Sequence, residues 1–173
     1  MEPRDRIRQL LTEQFSGSVI KEENFRNEQT FFVKPDAILD ICQALLEDAE
    51  LKVDYLADLT SVDWLGHEER MGGRFEVVYN LYSISTHYRF FIKVMLPADK
   101  PEISSVTAVW PGANWMEREV YDLMGIVFTG HPDLKRILTP DGFEGYPLRR
   151  DYPLTYEVPQ FSWNKNDPPE VIT

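Results

Sequence analysis

The residues best suited to chemistry in this chain lie between Trp115 and Leu154. Glu117, Arg118, Glu119 and Asp122 place four charges within six consecutive positions. On a helix, Arg118 and Asp122 stand one turn apart and are expected to pair, which contributes about 0.3–0.5 kcal/mol when both are exposed. Glu117 and Glu119 are two apart, so they point to opposite flanks and do not act as a paired acid and base. The group reads either as a solvated helix face with local ion pairs or as a charged docking surface. Further along, Lys135, Arg136, Arg149 and Arg150 supply positive charge within an acidic chain. Guanidinium forks suit bidentate carboxylates, so these cations are expected to meet acidic groups on a partner protein or within their own segment, not nucleic acid.

Several other chemistries have no signature. There is no G-x-G-x-x-G, no P-loop, no G-x-S-x-G and no C-x-x-C. The three histidines, His67, His87 and His131, are scattered without metal-ligand spacing. The single cysteine, Cys42, builds no disulfide framework, and it falls in an apolar helical stripe, where a packed thiol is expected. A net charge of −11 argues against a general phosphate-backbone binder and against loose adsorption to an anionic membrane. No window approaches a spanning length of apolar residues, and the first residues, MEPRDRIRQLL, lack the apolar stretch of a secretory signal. A cytoplasmic, reduced setting follows as the default.

These residues need elements to hold them. At 173 residues, 43% of them apolar, the chain accommodates one cored domain plus an appendage. Ile7, Leu10, Leu11 and Phe15 mark one face of a helix from Pro3 to Phe15. Ser18 to Phe25 and Gln29 to Lys34 read as a hairpin turning at Arg26-Asn27-Glu28. Pro35-Asp36 opens a second helix with the stripe Ile38, Ile41, Cys42, Leu45, Leu46 and Ala49. Val53 to Trp64, Arg74 to Ser83 and His87 to Leu96 read as strands, the last two paired across Ile84-Ser85-Thr86. The first of these is expected to alternate Leu56, Thr60, Val62 and Trp64 against Tyr55, Ala57, Leu59 and Ser61. Asp58 and Asp63, five apart on it, are expected to face opposite sides. Residues 66–73 form a polar, exposed loop. Grouped strands predict an α+β layer fold with a mostly antiparallel sheet and helices packed on one face.

Ser105 to Trp110 is expected to form a short helix. Asn114 with Glu117 three residues on predicts a capped helix start. Met116, Val120, Leu123, Met124 and Val127 form its stripe, with Arg118, Tyr121 and Asp122 opposite and Gly125 as its stop. The globular domain is therefore expected over 1–125 and an extended arm over 126–173. Seven of the twelve prolines lie in that arm, without helical or strand periodicity. Yet Phe128, Leu134, Ile137, Leu138, Phe143, Tyr146, Leu148, Tyr152, Tyr156, Phe161 and Trp163 are too sticky for a solvated tail. The expectation is an arm that does not bury itself alone and becomes ordered on a partner protein.

At this point two long motifs carry a resemblance. Glu117-Arg118-Glu119-Val120-Tyr121-Asp122-Leu123-Met124-Gly125-Ile126, then Gly130-His131-Pro132-Asp133-Leu134-Lys135-Arg136-Ile137-Leu138, resembles the C subunit family of respiratory NADH–quinone oxidoreductase, complex I. Gly145-Tyr146-Pro147-Leu148-Arg149-Arg150-Asp151-Tyr152-Pro153-Leu154 resembles that family's second block, and Leu56 to Asp63 its central strand. The resemblance implies a stand-alone, cofactor-free core component of the peripheral arm, with no catalytic centre of its own. It implies docking on the D subunit of the complex, which with the B subunit shapes the quinone cavity. FMN and iron–sulfur clusters would sit in other subunits, and membrane association would come only through the complex, on the cytoplasmic side. The implied partner interface comprises Glu117, Arg118, Glu119, Asp122, His131, Lys135, Arg136, Arg149, Arg150 and Asp151. Equivalent subunits of ferredoxin-linked or F420H2-linked quinone-reducing complexes, or of membrane-bound energy-converting hydrogenases, remain the alternative.

Overall fold

The computed structural model describes residues 1–154. Tyr156, Phe161, Trp163 and the last three prolines of the expected arm lie outside the described residues. The chain runs α1 (Pro3–Phe15), β1 (Val19–Phe25), β2 (Glu28–Val33), α2 (Ile38–Glu47), β3 (Tyr55–Asp63), α3 (Glu68–Met71), β4 (Phe75–Ser83), β5 (Tyr88–Leu96), β6 (Glu102–Ser104), α4 (Ala113–Met124) and β7 (Val127–Thr129). The first two helices and the sheet strands fall where their periodicity predicts them.

Five strands form one sheet in the order β1-β2-β5-β4-β3. Its pairs are antiparallel except β2 with β5, which is parallel because α2, β3 and β4 intervene before the chain returns. Arg26 and Asn27 both take positive φ in the β1–β2 turn, the geometry that keeps a two-residue hairpin in step with strand twist. On β4 and β5, Val77 faces Val94, Tyr79 faces Ile92 and Leu81 faces Phe90. All six are fully buried, in one cluster with Ile7, Leu10 and Leu11 of α1 and Ile38, Ile41, Cys42 and Leu45 of α2. Each large apolar side chain so buried contributes about 1.5–3 kcal/mol. Burial pushes the Cys42 thiol up, with Glu117 adding to the effect, so it is the inert core thiol expected.

Three local readings change. β3 carries a bulge between Leu56 and Asp58, so Leu56 and Leu59 are both buried although their parity differs. Asp63 is buried and Asp58 exposed, on opposite sides as expected. Residues 66–73 contain the single helical turn α3. Ser105 to Trp110 is one turn, with the Val109 and Trp110 N–H groups both donating to Val106 O, rather than a helix.

The largest change concerns the chain after Gly125. Val127–Thr129 pairs in parallel with Glu102–Ser104, so a strand forms where none was expected. Ile126 and Phe128 are core residues while Val127 is exposed, the reverse of the helical stripe extended to Val127. From residue 131 to 154 the backbone folds back over α4 and the end of β3 on the chain's own domain. For these residues the structure shows backbone hydrogen bonds to the chain's own domain where apolar burial is lacking.

Candidate functional site

α4 is the platform. Its buried line is Ala113, Glu117, Val120 and Met124, with Asp122 also fully buried on the flank beneath the arm. Gly112 precedes it and makes no side-chain cap, so the expected Asn114–Glu117 capping box does not form. Glu117 instead points inward. Its Oε2 takes a bond from Ser105 Oγ at 2.6 Å and its Oε1 one from Val106 N–H at 2.7 Å. Burial pushes its pKa up to about 7, against the downward pull of those two donors. It therefore ties α4 to the turn after β6.

Asp122 does the opposite. Its Oδ2 accepts the N–H groups of Ile137, Leu138 and Thr139 at 2.9, 2.7 and 2.9 Å. Its Oδ1 accepts the Thr139 hydroxyl and Arg136 Nη1, the latter at 3.1 Å. Burial opposes ionisation, yet the Thr139 hydroxyl and the three backbone donors outweigh it and hold the carboxyl down to about 2. Arg136 also bonds Gly145 O at 3.0 Å and lies over the Tyr146 ring at 5.1 Å. One carboxylate thus organises residues 136–139, and its arginine reaches residues 145–146.

The expected Arg118–Asp122 pair is absent, because both side chains turn to the arm. Arg118 donates to Lys135 O and Arg136 O at 3.0 and 3.3 Å. His131 Nδ1 accepts the Asp133 N–H at 3.0 Å, so Nε2 carries the hydrogen and donates to Asn114 O at 3.2 Å. Lys135 is exposed and pairs, among the described residues, with nearby Asp133.

A second buried carboxylate holds the arm at residue 150. Asp63, at the end of β3, binds Arg74 through Nε at 3.0 Å and Nη2 at 2.9 Å. Its Oδ2 also accepts the Arg150 N–H at 2.9 Å. Burial raises the Asp63 pKa, but Arg74 and the N–H groups of Arg150 and Leu65 bring it below the usual range. Asp151 closes on Arg74 Nη2 at 2.8 Å, and Arg150 Nη1 donates to Leu65 O at 3.2 Å. Arg149 turns inward: Nε donates to Met124 O at 2.7 Å, and the guanidinium lies 4.9 Å from the Phe75 ring and 4.4 Å from that of Tyr146. Gly125 makes room for this. Its φ is +72°, and a Cβ there would stand 2.6 Å from the Tyr146 ring and 2.5 Å from Arg149 Nη2.

The ten expected interface residues therefore divide. Glu117 and Asp122 are buried within the chain, and Arg136 and Arg149 are half-buried with partners in it. Glu119, Lys135, Arg150 and Asp151 are exposed, and Arg118 and His131 are half-exposed. Beside them Trp115, Leu138 and Leu148 are 62%, 61% and 59% exposed, and Arg118 lies over the Trp115 ring at 5.2 Å. Sequence reading missed Arg74, Ser105 and Thr139. Asp63 was expected only to face away from Asp58, and nothing local named its partner. Among the described residues no group of three or more histidine, cysteine or acidic side chains is placed to hold a metal ion. No described helix is long and apolar enough to cross a membrane.

Fold and site together define an α+β domain that carries a fixed arm of irregular backbone. The family model described as the respiratory-chain NADH dehydrogenase 30 Kd subunit matches residues 31–158, and the chain belongs to that family. It is 42% identical over 162 residues to the NADH-quinone oxidoreductase C subunit of Roseiflexus sp. (strain RS-1), covering 94% of this chain and 88% of that protein. It is 49% identical over 144 residues to the protein of the same name from Geobacter metallireducens, covering 83% and 86%. Among solved structures it is similar to a trypsin-resistant fragment of Nqo5, with TM-score 0.65 and 30% identity over 76% of this chain and 99% of the fragment. A chain of an archaeal membrane-bound sulfane sulfur reductase shares the fold, with TM-score 0.73 and 24% identity over 89% and 87%.

Proposed function

We propose that this chain is a cofactor-free scaffold in the peripheral arm of a proton-translocating NADH–quinone oxidoreductase. It docks on the D subunit near the quinone-reducing module, on the cytoplasmic side of the membrane. FMN and iron–sulfur clusters belong to other subunits, and the reaction as a whole passes electrons from NADH to quinone. The observation that carries the docking role is the state of the arm. Two buried carboxylates fix its backbone, while Trp115, Leu138 and Leu148 stay exposed among charges. Apolar anchors held by a preformed backbone, with a polar rim, are what a partner surface requires. The name shared by relatives 42–49% identical supports NADH as donor over the ferredoxin-linked, F420H2-linked and hydrogenase alternatives.

Purification in mild detergent tests this reading. The wild-type chain is expected to bring down a homologue of the D subunit and a flavin-containing NADH module. Leu138→Asp with Leu148→Asp is expected to abolish co-purification while leaving the chain's own melting temperature unchanged. Full co-purification by that variant would refute the docking surface, and a nickel-bearing partner without a flavin module would refute the assignment of donor.

A further inference from the structure

We propose that Glu117 is an internal proton-binding group that takes up a proton when the chain folds and, on losing it, loosens the turn that anchors the root of the arm. The geometry is that of a neutral acid. Glu117 is fully buried, and no arginine or lysine among the described residues pairs with it. A carboxylate without a cation in such a place is costly, whereas the protonated form is not.

The surrounding hydrogen bonds suit that form. Ser105 Oγ lies 2.6 Å from Glu117 Oε2 and 2.8 Å from Thr107 Oγ1. A carboxyl O–H donates to Ser105 Oγ, which donates in turn to Thr107 Oγ1, while Oε1 still accepts Val106 N–H. The groups that face Glu117 add no compensating charge. From α2 comes the Cys42 thiol and from β4 the Tyr79 phenol, both fully buried and both pushed up, chiefly by burial, with Glu117 adding to it. β3 and β7 turn Leu56, Leu59 and Phe128 inward, and the acid at the end of β3, Asp63, is already paired with Arg74. On α4 itself the neighbours one turn away are Ala113 and the half-buried Tyr121.

The link to the arm runs through one residue. Ser105 N–H donates to Thr129 O at 2.9 Å, so the turn that Glu117 holds also holds the end of β7. Ionisation of a fully buried, unpaired acid draws water or opens this turn. Between the ordinary carboxylate range and about pH 7 the folded chain holds one more proton than the unfolded chain. Stability therefore falls as pH rises through that window and levels off above it, by up to about tenfold in the unfolding constant per pH unit. Asp122 gives the opposite slope, and only in acid.

The test follows the Glu117 13Cδ resonance in the full-length wild-type chain from pH 4 to 9, with amide exchange at Ser105, Val106 and Thr129. The expected titration has its midpoint near 7, and exchange at the three amides rises several-fold across it. Glu117→Gln, neutral at every pH, is expected to remove both the slope of stability and the pH dependence of exchange. A midpoint in the ordinary carboxylate range overturns the proposal, as do exchange rates that ignore the titration. Both readouts exist in the wild type, so a misfolded variant would not shelter the idea.

Discussion

The sheet with its helices and the segment from 131 to 154 are built on different chemistry. In the first, side chains such as Phe31, Phe75, Tyr79, Phe90 and Ile41 disappear from solvent in one cluster. In the second no residue is fully buried, although the backbone follows a defined path. What the arm lacks in apolar burial is supplied chiefly by two carboxylates buried on the domain side, Asp122, which accepts three backbone N–H groups from the arm, and Asp63, which accepts one. A core held by many interchangeable contacts tolerates the loss of one in part. The arm rests on fewer ties, chiefly these two carboxylates with Arg149 on Met124 O and Arg118 on the Lys135 and Arg136 carbonyls, and its opening is expected to be local, at a lower free energy than unfolding of the sheet.

The contrast predicts a graded series. The largest effect belongs to the core: Phe90→Ala should cost about 3–5 kcal/mol, lowering the melting of sheet and arm together in calorimetry. Asp122→Ala comes next. It leaves the Ile137, Leu138 and Thr139 N–H groups and the Thr139 hydroxyl without their acceptor and Arg136 without its carboxylate, a loss of about 1–3 kcal/mol directed at the arm. Limited proteolysis should then cut between 131 and 150 while the sheet's circular dichroism and melting persist. Sheet melting that falls as far as in Phe90→Ala would erase the distinction between the two regions.

Gly125→Ala should be milder, about 1–2 kcal/mol from the left-handed backbone, with added displacement of Tyr146 and Arg149. Its signature is faster cleavage near residue 146 with little change at 137–139. Acid should act on the arm in the same sense as Asp122→Ala. The folded pKa of Asp122 lies below its unfolded value, so its contribution is complete above about pH 4 and is lost as pH falls through about 2. A pH series of proteolysis with an acid-stable protease checks this. Lys135→Ala, which breaks an exposed pair with Asp133, should cost under about 1 kcal/mol and leave cleavage unchanged.

The same contrast explains what could be read before the structure. The core was legible because helical and strand periods announce it: Ile38, Ile41, Cys42 and Leu45 share one face, and β4 and β5 alternate. Gly125 was legible as a helix stop because few other residues take its φ. The bulge at β3 was not, since an extra residue flips parity without leaving a mark in composition. The parallel β6–β7 pair joins strands of three residues, too short to show a period. Asp122 was misread as solvent-facing because it lies off the apolar stripe, and only the returning arm buries it. Glu117 was misread as a cap because its spacing from Asn114 fits one, while its true partner, Ser105, depends on where the β6 turn lands.

Amide exchange in the free chain tests the central claim, that Asp122 latches the arm to its own domain before any partner arrives. The amides of Ile137, Leu138 and Thr139 are predicted to be protected in the wild type, less strongly than those of β4 and β5. Asp122→Asn should abolish that protection and leave β4 and β5 as they were. Unprotected exchange at 137–139 in the wild-type chain, with protection only in the assembled complex, would contradict the latch and restore an arm ordered solely by its partner.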